Sequence, residues 1–251
     1  MIGGIKEVLL ALVLVAVSIG ISYFRKLDLE KDLLIGILRS FVQLIAVGYA
    51  LELVFDLNNL WLILLVILIM VLVGGQTAGS RTKGSLKGFT ISAFSIGVGT
   101  FFTLGALLLL GVIPADPKYV IPLAGMTIGN STNAAALALE RMHSEMKNKK
   151  DQIEQALALG VTSTQAVEHS FKATVRAAMI PTLNLMKIVG LVQLPGAMTG
   201  MILAGASPLQ AVKLQIIVVY MLICAVSIAA VITSRLSQST YFTKYHQLVI
   251  S

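Results

Sequence analysis

The sequence predicts an all-α protein: a polytopic membrane helix bundle of about seven transmembrane helices, with one helical loop and a broken sixth helix. Three observations predict it. Only 12% of the residues are charged and 57% are hydrophobic, and the mean hydropathy is +0.89. A soluble domain of this size would carry about twice that charge. Charge-free runs at residues 57–80, 88–115, 119–139, 188–212 and 214–234 each last about 20 residues or more, and roughly 20 apolar residues cross the hydrocarbon core as a helix. Lysine and arginine collect in alternate loops, the mark of a membrane topology.

In chain order the spans fall at about 8–24, 33–54, 57–80, 88–111, 119–140, 177–194 and 209–234. They make one transmembrane domain over residues 1–251, with no room for a second, soluble one. Span one follows Lys6 and has the apolar run of a signal peptide. No clear small-x-small cleavage site follows, and Arg25-Lys26 comes directly after, so an uncleaved span is the better reading. Span two holds Arg39, Gln43 and Glu52 within its apolar run. Spans three, four and five are the clean runs. Span six is irregular: Pro181 falls near its start, Lys187 lies deeper, and Leu194-Pro195-Gly196 breaks it. Proline removes a backbone donor and kinks or ends a helix, and broken backbone at membrane depth must be buried in protein or line a water-filled cavity. Residues 177–194 are therefore the expected span, and 197–206 a short or re-entrant piece near the outer face. Span seven starts near Pro208.

Charge gives the orientation. Arg25, Lys26 and Lys31 follow span one, and Arg81, Lys83 and Lys87 follow span three. Arg141, Lys147, Lys149, Lys150, Lys172 and Arg176 follow span five, and Arg235, Lys244 and His246 follow span seven. The other side has only Lys6 and Lys118, and Asp56-Leu57-Asn58-Asn59 joins spans two and three without a positive charge. The positive-inside rule then puts the N-terminus outside and the C-terminus and the 141–176 loop in the cytoplasm of a cell (inner or plasma) membrane. The net charge of +7 is topological. No basic face is interleaved with aromatics, so nucleic acid is not an expected partner.

Gly75 and Gly79, Gly125 and Gly129, and Gly196 and Gly200 are small-xxx-small pairs, which let helices approach closely within one chain or across a dimer. The single Cys224 lies mid-span. It can form neither an internal disulfide nor a thiolate cluster, and reads as a small buried apolar residue.

Catalytic signatures are missing. There is no Gly-x-x-x-x-Gly-Lys-Ser/Thr loop, so this chain is not expected to bind ATP by a P-loop, and no Gly-x-Ser-x-Gly or His-Glu-x-x-His. Glu140-Arg141-Met142-His143 has Glu-x-x-His spacing, but di-iron bundles need two such copies plus two more carboxylates. A solvated helix end is the plainer reading. The metal ligands stay unassigned. Ten methionines offer soft contacts or adaptable packing, Met126, Met179 and Met186 being the ones with polar neighbours.

Polar residues inside the spans are the candidates for a substrate pathway. Arg39 and Gln43 stand four apart and share a helix face. Met126, Asn130 and Asn133 share a face of span five. Such groups are costly in lipid and face the bundle interior or a cavity. Snorkelling competes for Arg39, and interhelical hydrogen bonding for the asparagines.

Within the charged loop, Glu154-Gln155-Ala156-Leu157-Ala158-Leu159-Gly160 leads to Val161-Thr162-Ser163-Thr164-Gln165-Ala166. A glycine ending one helix and a Ser/Thr cap for the next make a helix-turn-helix corner. This Glu-x-Ala-x-x-x-Gly segment resembles the coupling segment of ABC-transporter permeases, with Gln155 at its second position. The candidate coupling residues are Glu154, Ala156, Gly160 and Thr164.

Further stretches resemble the FetB-type iron-export permease family, which also includes plant aluminium-tolerance subunits. These are Leu29-Glu30-Lys31-Asp32, Arg39 with Gln43-Leu44, Gly48-Tyr49, Ile121-Pro122-Leu123-Ala124-Gly125-Met126 with Gly129-Asn130, and Ala177-Ala178-Met179-Ile180-Pro181-Thr182. Val189-Gly190-Leu191-Val192, Leu194-Pro195-Gly196, Gly200 and His246-Gln247-Leu248-Val249 complete the set, in order over nearly the whole chain. The resemblance implies a permease homodimer paired with a separate ABC ATPase. ATP and magnesium would sit on that partner, and no cofactor on this chain. It implies iron export on the bacterial side and a nucleotide sugar on the plant side. A secondary transporter would need midplane carboxylates, and spans three, four and seven have none. That class and a non-transporting membrane scaffold are the rival readings.

Overall fold

The computed structural model describes residues 5–57, 59–82, 86–243 and 245–249. Of the residues named above, Asn58, Lys83 and Lys244 lie outside the described ones. The all-α expectation holds. The helices are α1 (Ile5–Arg25), α2 (Glu30–Leu57), α3 (Leu60–Gly79), α4 (Leu86–Leu109), α5 (Pro117–Asn148), α6 (Lys150–Ala158), α7 (Ser163–Ala166), α8 (Glu168–Ile188), α9 (Gly196–Leu203) and α10 (Pro208–Ser239). Seven of them, α1 to α5, α8 and α10, have 20 residues or more. Glu30–Glu52 of α2, Leu60–Gly79, Lys87–Leu109 of α4 and Pro208–Ser239 combine length with the apolarity needed to cross a membrane, and Leu10–Arg25 is a shorter apolar helix.

The chain falls into two compact units, Met1–Leu57 and Asn58–Ser251. The first is the α1–α2 hairpin. Its turn is tied by one buried residue: the Ser22 hydroxyl donates to Glu30 Oε1 at 2.6 Å and accepts from the Leu29 amide at 3.2 Å. Lys26 and Asp28 take positive φ of 52° and 56° to close it.

In the second unit α5 is the central helix, touching α3, α4, α8 and α10. That position explains its composition. Protein rather than lipid surrounds most of it, so it carries buried Thr127, Ser131 and Thr132 among its apolar residues. One core cluster joins Ala134 and Ala138 of α5, Ala178 of α8, and Val226 and Ala230 of α10. Met179 packs on this cluster and accepts a hydrogen bond from Ser227 Oγ at 3.7 Å. It is a packing residue here.

Glycines set the tightest approaches. A methyl group at Gly75 would stand 2.6 Å from the Ala93 side chain, and one at Gly79 would stand 2.6 Å from the Phe89 backbone nitrogen. This pair therefore packs α3 on α4 within the chain. Gly99 of α4 would bring a methyl to 2.7 Å from the Ala225 carbonyl of α10. Gly129, Gly196 and Gly200 meet nothing within 4 Å, whereas a methyl at Gly125 would stand 3.1 Å from the end of the Met70 side chain of α3.

The 141–176 segment is helical, as expected: it holds the last turns of α5, all of α6 and α7, and the first turns of α8. The sixth helix runs differently from the expected 177–194. α8 starts at Glu168, passes through Pro181 without ending, and stops at Ile188 rather than Leu194. The break is made earlier, by a turn with Gly190 at φ +83° and its amide bonded to the Gln193 carbonyl at 3.0 Å. Only glycine adopts that φ at little cost. The short piece after the break is α9, packed on α10.

Candidate functional site

The corner predicted at Gly160 is built as a closed motif. α6 ends at Ala158. The Gly160 amide donates to the Leu157 carbonyl at 3.0 Å, and the Val161 amide to the Ala156 carbonyl at 3.5 Å. These are the two bonds of a Schellman cap, with Gly160 in the left-handed position at φ +88°. Thr162 then starts α7 with a full capping box. Its hydroxyl accepts from the Gln165 amide at 3.4 Å, and its own amide donates to Gln165 Oε1 at 3.0 Å. Backbone groups on both sides of the turn are thus satisfied locally, and the corner is rigid by construction. Glu154 and Gly160 are exposed on it, and Ala156 and Thr164 are half-buried.

A second core holds the corner to the long helices. Met142 and Met146 of α5, Ile153 of α6 and Val167 before α8 are buried together. Leu157, Phe171, Tyr241, Phe242 and Leu248 pack against them. The last three follow α10. Their tail folds back on itself through the Thr243 amide to the Gln247 carbonyl at 2.9 Å and the Val249 amide to the Tyr241 carbonyl at 2.8 Å. Two polar ties fix it further: Tyr241 Oη to His143 Nδ1 at 3.2 Å, and Ser163 Oγ to His246 Nδ1 at 2.9 Å. Burial pushes the Tyr241 phenol up, against a smaller opposing pull from Ser237, so it stays neutral. The Arg235 guanidinium lies 5.9 Å from the centre of the Phe171 ring, a cation–π contact between α10 and α8.

Glu145 staples the joint between α5 and α6. It is buried, and its two oxygens pair with Arg141 and Lys149, each at 2.6 Å. Lys149 is the residue shared by the end of α5 and the start of α6. Burial alone would raise the Glu145 pKa. Lys149, Arg141 and the Ser170 hydroxyl outweigh it and hold the carboxyl below its ordinary value.

Met126, Asn130 and Asn133 do share one face of α5. Met126 and Asn130 are half-buried and Asn133 is exposed, on the least covered stripe of that helix. The Asn130 amide donates to the Met126 carbonyl of its own helix at 2.8 Å, not to a neighbouring helix. Arg39 and Gln43 are exposed on α2, in the other compact unit. Among the described residues, no three His, Cys, Asp or Glu side chains gather as a metal site.

The family model described as "Uncharacterised protein family (UPF0014)" matches residues 5–242. The chain belongs to the UPF0014 family. Similar members include "Protein ALUMINUM SENSITIVE 3" of Arabidopsis thaliana, 39% identical over 95% of this chain and 87% of that protein. "Probable iron export permease protein FetB" of Escherichia coli (strain K12) is 39% identical over 98% of this chain and 95% of that protein. "UPF0014 membrane protein STAR2" of rice (Oryza sativa subsp. japonica) is 37% identical over 99% and 87%. No solved structure matches. The resemblance drawn from the sequence motifs is thereby established, and this UPF0014 chain is a membrane protein.

Sequence reasoning placed the corner of this UPF0014 protein but missed what supports it. Glu145 was not among the residues singled out. Its signal was the i−4 and i+4 spacing to Arg141 and Lys149. The tail was legible only as part of the resemblance. Its signal was the apolar Tyr241, Phe242, Leu248 and Val249 lying beyond the last span.

Proposed function

We infer that this chain is the membrane-spanning permease subunit of an ABC transporter, working as a homodimer with a separate ATPase and exporting iron or another metal ion. The observation that carries the reading is the doubly capped corner at Gly160, anchored through Met142, Met146 and Val167 to two long helices. A transporter driven by a separate ATPase needs a stiff element outside the bilayer that turns closure of the nucleotide sites into helix movement. A hydrogen-bonded corner with no slack is suited to that task. The name of the E. coli relative supports metal export as the substrate class.

The parts then have distinct work. ATP and magnesium bind on the partner, and this chain supplies no catalytic group. Closure of the partner subunits pushes the cytoplasmic corner, and α5 and α8 tilt with it. The exposed stripe of Met126, Asn130 and Asn133 turns from an inward-facing to an outward-facing cavity. Amide oxygens and a thioether give a cation weak, exchangeable contacts, which suits release better than storage. Export requires that the cargo favour the inward-facing state.

The test is co-purification with a candidate ABC ATPase subunit, followed by ATP hydrolysis in proteoliposomes with and without iron(II). A stable complex whose hydrolysis rises with iron(II) is the expected result. A chain that moves substrate with no ATPase bound would contradict the reading and favour a secondary transporter.

A further inference from the structure

The corner has a cleft behind it, open to solvent and about 810 Å³ in volume. One wall is α6 with the turn after it. The other is the tail after α10, residues 245–249. Large apolar side chains stand exposed in this cleft: Val161 on the corner, and Tyr245, 80% accessible, with Val249 on the tail. Leu159, 86% accessible, stands on the same turn beside the lining. None of the four lies on a helix apolar enough to cross a membrane. Apolar side chains gathered on such a surface mark an interaction site.

Both walls are preformed. The corner is fixed by its caps. The tail is pinned by His246 to Ser163 at 2.9 Å and by Phe242 and Leu248 in the shared core. A partner would therefore meet an ordered surface and lose little to ordering it. Charge narrows the partner's chemistry. Asp151 and Glu154 are exposed on α6, and Glu154 has only a loose 3.8 Å pair with Lys150. A stronger cation could replace that pair.

We propose that the corner and the C-terminal tail form one two-walled docking face for the ATPase subunit. Its occupant is an amphipathic segment of that subunit, which covers Leu159 on the turn, lays an apolar side chain between Val161 and Tyr245, and sets a lysine or arginine against Glu154. This rests on the ABC-permease reading above. That reading needs only the corner, and the tail is the addition.

The test uses the full chain in lipid nanodiscs, titrated with the purified ATPase subunit. Leu159→Asp and Tyr245→Asp should each raise Kd about tenfold or more, because each puts a charge into a desolvated apolar contact. Both side chains are exposed, so insertion and thermal stability should be unchanged. If Leu159→Asp weakens binding and Tyr245→Asp does not, the corner still docks the ATPase and the two-walled face is wrong. If neither variant nor Glu154→Lys changes binding, the ABC-permease reading fails with it. A Tyr245→Trp reporter in a Trp61→Phe background separates the remaining occupant. Its fluorescence should respond to the ATPase subunit and not to brominated lipids. Quenching by brominated lipids would put the tail in the bilayer and overturn the proposal.

Discussion

Asn130 is the residue at which the pathway idea is most exposed to test. Its amide bonds to the Met126 carbonyl of its own helix, on the uncovered stripe of α5. A polar group used this way does not clamp two helices together, so the fold does not depend on it. Leaving a desolvated polar group without its partner costs about 1–3 kcal/mol, or about 5- to 150-fold in a rate. Asn130→Leu should therefore lower transport by about that factor and leave the folded complex intact. Normal transport by the leucine variant would remove Asn130 from the pathway. Glu145 is the opposite case, a structural charge. Its carboxyl titrates below the ordinary glutamate value of 4.5 because Lys149 and Arg141 outweigh its burial. A folded pKa below the unfolded one stabilises above that range and is lost as pH falls through it. Glu145→Gln should thus destabilise the protein by about 1–3 kcal/mol at pH 7. The gap between variant and wild type should close as pH falls below 4.5. Equal thermal stability of the two at pH 7 would rule out the staple.

Among the elements, the corner and the glycine contacts make separable demands. Gly160 sits at φ +88° with open space around it, so only its backbone matters. Gly160→Ala should cost about 1 kcal/mol by forcing a left-handed alanine. Gly160→Pro cannot adopt that φ and should disrupt the corner, seen as increased protease sensitivity near residue 160 while the membrane helices stay folded. Gly99 is limited by space instead. A side chain there meets the Ala225 carbonyl at 2.7 Å, so Gly99→Leu should force α4 and α10 apart and cost about 1–3 kcal/mol or more in thermal stability. Unchanged melting would disprove that contact. The sequence announced the corner because its rules are local: a glycine ending one helix, then a Ser/Thr cap for the next. It hid the true ends of α8. Pro181 falls near the expected start, yet the helix begins at Glu168 and runs through it, and Gly190 breaks the chain four residues before the conspicuous Leu194-Pro195-Gly196. Whether a proline kinks or ends a helix depends on neighbours far away in sequence. Here those neighbours include α5 and α10, which pack on α8.

For the whole molecule, composition and the charge-free runs made the membrane class legible, since lipid imposes one rule on every span. Interior packing was less legible. α5 reads as a plain span, but it is the central helix of its unit, and its hydroxyls point to that position only once α3, α4, α8 and α10 are seen around it. Orientation follows from charge alone and has its own check. Single cysteines at Asn59 and Asn148 should label from opposite sides of the membrane, and labelling from one side would undo the topology. Coupling of the corner to the ATPase is the central claim. The most direct measurement is ATP-driven transport by the permease–ATPase complex in proteoliposomes, wild type against Glu154→Lys and Gly160→Pro, with ATP hydrolysis followed in parallel. Both variants should insert and fold, yet lose transport because the corner no longer engages the ATPase. Full transport and intact ATPase association in both would show the corner to be an ordinary surface turn and contradict the coupling role.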